Sequence, residues 1–248
     1  MDGLPFSWLF AGLVFLLAGL VKGVIGMGLP TIAMGLLSLV FAPVEAAALL
    51  VVPSLVTNVW QLLAGPNWLA LARRLWSMMV GVVVGTLIAS GVLASDTGGV
   101  ARLALGVALA AYAAIGLAGV RFGLSARHEA WASPLIGATT GLVTGATGVF
   151  VLPAVPYLQA IGLDKDDLVQ ALGLSFTVST VALAGGLLQA GGLSGASAGM
   201  SLAGLGPALV GMGLGQVVRR HIAPATFRRV FFGGLFVLGT YLVARQIA

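Results

Sequence analysis

The segment Gly19-Leu20-Val21-Lys22-Gly23-Val24-Ile25-Gly26-Met27-Gly28-Leu29-Pro30 has a second copy, Gly141-Leu142-Val143-Thr144-Gly145-Ala146-Thr147-Gly148, followed by Pro153. Both read Gly-Leu-Val-x-Gly-x-x-Gly, spaced by 141 − 19 = 122 residues. Each copy interrupts a long apolar run. A chain built this way is two versions of one unit, and each unit has to accommodate a break in a hydrophobic segment. Paired glycine- and proline-interrupted segments in corresponding halves are a pointer to the binding site of a membrane transporter.

The residues around the motif fix the solvent. Of 248 residues, 59% are hydrophobic and 8% charged, where a soluble domain carries about 25% charged. That is too little polar surface to cover a globule in water, so the partner of most of the surface is the lipid bilayer. The runs are apolar on most sides instead of alternating, which selects helices over barrel strands. The net charge of +5 sits in short clusters, Arg73-Arg74, Arg219-Arg220 and Arg228-Arg229. Placed between apolar runs, these read as cytoplasmic topology markers and not as a nucleic-acid surface. The absence of cysteine excludes disulfides and thiolate metal ligands. The sequence has no metal-ligand cluster, no well-spaced nucleophile–base pair and no phosphate loop. Neither a cofactor, a metal nor an intramembrane enzyme is expected. The first apolar run is preceded by Asp2 and by no basic residue, unlike a signal peptide, and is expected to be the first spanning helix.

A helix that crosses the ~30 Å hydrocarbon core needs about 20 residues. Runs of that order cover 6–26, 44–64, 75–94 and 101–120, then 133–149, 168–190, 198–218 and 225–247. Short segments, 29–41 and 152–163, follow the first run of each set. The expected architecture is an all-α polytopic membrane protein with two inverted-topology repeats, about 8 full transmembrane helices and two short or broken segments. Repeat 1 covers 1–120, a cytoplasmic linker 121–132, and repeat 2 133–248. If the short segments count as crossings, Arg73, Arg74, Arg121, Arg127, Arg219, Arg220, Arg228 and Arg229 share the cytoplasmic side, as the rule for Lys and Arg favours. Each half then has an odd number of segments, so the halves are inverted and both termini lie outside.

The candidate binding residues follow from the two motifs and from polar positions repeated at the same offset. Gly19, Gly23 and Gly26 fall on one helix face, as do Gly141, Gly145 and Gly148. Such a stripe serves close helix packing or permits a break whose following helix start aims N–H groups at an anion. Gly28, Pro30 and Pro153 favour a break. Lys22 lies inside a span, where charge is costly and commonly functional. The competing reading is snorkelling to the nearby interface. Its repeat equivalent is Thr144, on a hydroxyl stripe with Thr140 and Thr147, and a Lys opposite hydroxyls suits an oxyanion. A second set is Pro53, Thr57 and Asn58 against Ser175, Ser179 and Thr180. Pro53 frees the carbonyl of Leu49, while each hydroxyl has the alternative of bonding back to its own helix. Gln61 and Gln189 are expected near the interface. Gly81-x-x-x-Gly85 and its counterpart Gly211-x-x-x-Gly215 (211 − 81 = 130) are expected as packing faces.

The duplicated glycine motif, the Gly28-Leu29-Pro30 end and the following Ala46-Ala47-Ala48…Asn58 helix resemble the sulfite exporter TauE/SafE family, also called the toluene-sulfonate uptake permeases. The resemblance covers nearly the whole chain and both halves. It implies movement of sulfur-containing anions, such as sulfite and organosulfonates, across a bacterial inner membrane, with Gly23, Gly26, Gly28, Asn58, Gly145 and Gly148 near the substrate. The sequence has Gly26-Met27-Gly28 and Gly148-Val149-Phe150 where triple-glycine forms are commonest in the family, and Lys22 where a small or polar residue is usual. The expected activity is a secondary transporter of small anions. A passive anion channel and a non-transporting membrane scaffold are the alternatives, and a homodimer is compatible with either reading.

Overall fold

The computed structural model describes residues 3–95, 99–119 and 123–247. Asp2 and Arg121, used above for topology, lie outside them. The described residues form ten helices and no strand: α1 (Gly3–Ile25), α2 (Leu29–Leu37), α3 (Pro43–Leu63), α4 (Trp68–Ala94), α5 (Val100–Ala118), α6 (Ala126–Thr147), α7 (Ala154–Ala160), α8 (Lys165–Gln189), α9 (Gly195–Val218) and α10 (Pro224–Ile247). The order long, short, long, long, long occurs twice. Seven helices are long and apolar enough to cross a membrane, namely α1, α3, α4, α5, α8, α9 and α10. Helix α6 has the length, at 22 residues, but hydroxyls, glycines and a charged first turn dilute its apolar content. Two boundaries also move. Helix α4 starts at Trp68, so Arg73 and Arg74 lie on its first turns and not in a loop. Helix α6 starts at Ala126, inside the expected linker, and carries Arg127, His128 and Glu129.

The contacts between helices give their directions. Gly19 packs on Ala208, Gly23 on Met212 and Gly215, and Gly211 on Leu16 and Leu20. Numbers rise together, so α1 and α9 are parallel. Gly81 packs on Pro134 and Ala138, Gly85 on Ala138 and Leu142, and Gly145 on Thr86 and Ser90, so α4 and α6 are parallel too. In contrast, Gly173 packs on Leu62 while Asn58 reaches Thr180, which makes α3 and α8 antiparallel. Gly116 meets Phe232 and Gly106 meets Val243, so α5 and α10 are antiparallel. Short connections reverse the chain direction between α3 and α4, α8 and α9, and α9 and α10. Together these directions put α1, α3, α5 and α9 one way and α4, α6, α8 and α10 the other. Each long helix of the second half thus runs opposite to its counterpart in the first. The halves are an inverted repeat. Because α1 and α3 run the same way, the segment between them returns the chain to the first face, although α2 alone spans only ~13 Å.

The interhelical contacts respect the same symmetry. Exchanging each helix for its counterpart turns the α1·α9 contact into α6·α4 and the α3·α9 contact into α8·α4, while α3·α8 and α5·α10 map onto themselves. Asn58 and Thr180 are counterparts 122 apart and touch each other. Counterparts related by a two-fold rotation meet only near its axis. The axis therefore passes through the α3/α8 crossing, and again through α5/α10, where Gly106 and Gly239 meet backbone to backbone. For inverted repeats this axis lies in the membrane plane, so the α3/α8 crossing sits at mid-depth.

Two glycine seams hold the halves together. A Cβ on Gly211 would lie 2.0 Å from the carbonyl oxygen of Leu16, and one on Gly141 would lie 2.3 Å from that of Val82. The first-half motif thus interlocks with Gly211 and Gly215, and the second-half motif with Gly81 and Gly85. In lipid there is no hydrophobic force to join helices, and close backbone approach is what small residues supply. Gly211→Ala and Gly141→Ala are expected to destabilise the protein by about 1–3 kcal/mol through overpacking, against the intrinsic gain of roughly 1 kcal/mol from Gly to Ala in a helix. Gly213→Ala, with nothing near its Cβ position, should keep that gain. Thermal unfolding in detergent distinguishes the signs.

Candidate functional site

The second glycine of each motif packs, and the third breaks the helix. Helix α1 stops at Ile25 because Gly26 adopts φ +77° and Gly28 φ +104°, and α6 stops at Thr147 because Gly148 adopts φ +71°. Only glycine takes this region without steric cost. The Gly26 amide donates to the Lys22 carbonyl at 2.7 Å, and the Gly148 amide to the Thr144 carbonyl at 2.7 Å. The two breaks are closed by the same bond between counterparts. Gly28 and Gly148 are buried in protein, where broken backbone is tolerated. The helix starts after the breaks add little to anion binding: Pro30 brings no N–H to the first turn of α2, and the Val149 amide is taken by Thr147 Oγ1 at 3.1 Å. Gly23 and Gly145, expected beside the solute, are instead in the seams, against Met212 and Gly215 of α9 and against Thr86 and Ser90 of α4.

Lys22 does not snorkel. It is 3% exposed, and its ammonium turns into the protein to donate to Oδ1 of Asn58 on α3. Asn58 Nδ2 in turn donates to Thr180 Oγ1 on α8 at 3.4 Å. The chain Lys22–Asn58–Thr180 therefore runs from the first break to the two-fold axis. An ammonium has three donors, and Asn58 takes one. No carboxylate accompanies it: among the described residues the ion pair is Arg74–Glu129, at 2.7 Å, on α4 and α6.

The hydroxyls divide into two groups. Thr57 donates to the Pro53 carbonyl, Thr144 to Thr140 and Thr180 to Phe176, each at 2.7 Å, and Thr147 donates to Val143 at 2.6 Å. Their protons are spent within their own helices, as Thr commonly does. Ser175 and Ser179 are buried with no partner for the hydroxyl, as are Ser54 and Thr140. The hydroxyls of Thr31, Ser38 and Thr86 are unpartnered too, and buried polar groups left unpaired are costly. The residues Lys22, Thr57, Asn58, Thr144, Thr147, Ser175, Ser179 and Thr180 are all buried. Two grooves, about 500 and 450 Å³, lie between α5 and α10 and between α1 and α9, with apolar walls. None of those buried side chains lines either groove.

Residues 11–242 match the family model described as Sulfite exporter TauE/SafE. The chain belongs to the sulfite exporter TauE/SafE family. It is thereby a multi-pass protein of a transporter family. No curated protein and no solved structure matches it.

In this TauE/SafE protein several polar contacts escape sequence reasoning. The Leu49 carbonyl, freed by Pro53, accepts from Ser201 Oγ at 2.7 Å, and Ser201 Oγ in turn accepts from the Val52 amide at 3.0 Å. An internal proline announces that a donor is needed; that Ser201 on α9 supplies it is a matter of packing. Gln61 is buried, not interfacial, and donates to the Val169 carbonyl at 2.9 Å. On the face where α3 ends and α4 begins, Gln170 donates to the carbonyls of Leu62 and Gly65, both at 2.7 Å. Asn67 donates to Asp167 at 2.8 Å, and Arg74 grips Glu129 through two bonds and the Ile161 carbonyl at 3.0 Å. These links tie the halves together above the site.

The buried ammonium gives a test. Asn58→Leu removes its acceptor and is expected to cost about 3 kcal/mol, as stranding a buried charge does. Adding Lys22→Met should restore most of that loss, a coupling readable from a double-mutant cycle. Unfolding of the four proteins in detergent measures it, and strictly additive losses would show that the two side chains act independently.

Proposed function

We propose that this protein is a secondary transporter that moves small anions, organosulfonates or sulfur oxyanions such as sulfite, across a bacterial inner membrane by alternating access. The observation that carries this reading is the Lys22 ammonium, buried at the centre with one neutral acceptor and no carboxylate. A buried charge without a partner is strongly unfavourable, and intramembrane charge marks a solute pathway. The missing partner is an anion, and the free hydroxyls of Ser175 and Ser179 on the antiparallel α8 supply neutral donors for its oxygens. Family membership supports the sulfur-oxyanion class.

Orientation follows from the helix directions. Arg73, Arg74, Arg127, Lys165, Arg219, Arg220, Arg228 and Arg229 share one face, while Arg102 and Arg245 take the other. By the rule for Lys and Arg the crowded face is cytoplasmic, so the polar links of Arg74, Asn67 and Gln170 form the cytoplasmic closure. The moving bodies are not the two sequence halves. The glycine seams bind α1 to α9 and α4 to α6, so each rigid pair draws one helix from each half, and alternate opening turns these pairs about the α3/α8 crossing. Burial of these polar side chains fits a carrier that occludes its solute, and the anion is the proposed partner.

In liposomes, Lys22→Ala is expected to lower sulfonate or sulfite uptake at least about tenfold, the scale set by losing 1.4 kcal/mol of binding, with assembly and thermal stability retained. Unlabelled solute on the far side should accelerate uptake of labelled solute in the wild type. Unchanged transport in the mutant removes Lys22 from the site, and a lack of trans-stimulation points to a passive channel.

A further inference from the structure

We infer that the central site counts charge: it accepts an anion with one negative charge and rejects a doubly charged anion of the same shape. This rests on the anion reading of Lys22 and adds the valence of the solute to it. The two-fold that relates the halves carries Asn58 onto Thr180 and Lys22 onto Thr144. A symmetric site would hold two ammonium groups, one from each side of the axis. This chain has one. Thr144 is neutral, and its proton is already given to the Thr140 carbonyl.

The remaining polar groups at the crossing are neutral as well. Asn58 joins Lys22 to Thr180, and the partnerless hydroxyls of Ser54, Ser175 and Ser179 offer dipoles but no charge. The described carboxylates belong to helix starts: Glu45 at α3, Glu129 at α6, and Asp164, Asp166 and Asp167 at α8. With Lys22 charged, a monovalent anion makes the buried complex neutral. A divalent anion leaves one negative charge uncompensated, and the desolvation of that second charge is not repaid. Neutral donors orient the oxygens in both cases, so shape does not separate them and charge does. For sulfite, which exists near neutral pH in singly and doubly charged forms, the transported form is then the protonated one. Uptake per total sulfite rises as pH falls.

Methanesulfonate and sulfate isolate the effect, since both are tetrahedral sulfur oxyanions with fixed charges of different size. Calorimetric titration of the full-length protein in detergent at neutral pH is expected to give methanesulfonate an affinity about tenfold or more above sulfate. Lys22→Gln should weaken methanesulfonate more than sulfate, and Thr144→Lys, which supplies the second ammonium, should narrow or reverse the gap. Equal affinities for the two anions in the wild type overturn the inference whether or not the Thr144 variant folds, and leave the anion site standing. A wild-type protein that binds neither methanesulfonate, sulfate nor an aromatic sulfonate overturns the anion reading and this inference with it.

Discussion

Backbone approach along two glycine seams organises the molecule. Apolar side chains gain nothing by leaving lipid for one another, so helices in a bilayer associate where their shapes let backbones touch. Here Gly19 meets Ala208 and Gly23 meets Gly215, while Gly141 meets Gly85 and Gly145 meets Thr86 and Ser90. Each seam joins a helix of one half to a helix of the other. The halves are consequently interlocked and not stacked side by side. Once α1 lies on α9 and α4 on α6, helices α3 and α8 are left to cross between them, which puts Asn58 against Thr180 on the symmetry axis.

That crossing is where the departures from symmetry matter. Most of the structure repeats faithfully: the same helix order, the same αL glycine at each break, and the same amide-to-carbonyl bond closing it. Lys22 and Thr144 occupy equivalent places and differ by a full charge. The cost of burying that ammonium is high enough that a merely structural role would be better served by a neutral residue. The polar links at the arginine-rich face are a second asymmetry. Arg74 holds Glu129 and the Ile161 carbonyl, so charged and hydrogen-bonding groups join the two halves on this face.

Much of the fold was legible because its signals are local. Apolar run length reports span length, and the offset of 122 exposes the repeat. A glycine followed by Leu-Pro or by a later proline marks a break. Boundaries were less legible. Arg73 and Arg127 looked like loop residues because charge interrupts apolar runs, yet at the interface a helix keeps its hydrogen bonds while its arginines reach water. Within the site, Lys22, Asn58, Ser175 and Ser179 could be singled out from type and position. Gly23 and Gly145 were ambiguous because a small residue in a stripe serves packing or breaking equally well on paper. The partner helix decides between them.

By itself, then, the amino-acid order determined an all-helical membrane protein in two related halves, each broken at a glycine, with one ammonium inside a span. Those properties depend on composition, period and spacing, which are written along a single chain. Only the tertiary structure decided which glycines pack, that Lys22 turns inward to Asn58 and not outward to the interface, that Ser201 answers the carbonyl freed by Pro53, and that each glycine seam joins a helix of one half to a helix of the other. Each of these depends on which helices are neighbours and on their relative direction, and no local property of the sequence encodes the distance between residues 22 and 58 or between 49 and 201.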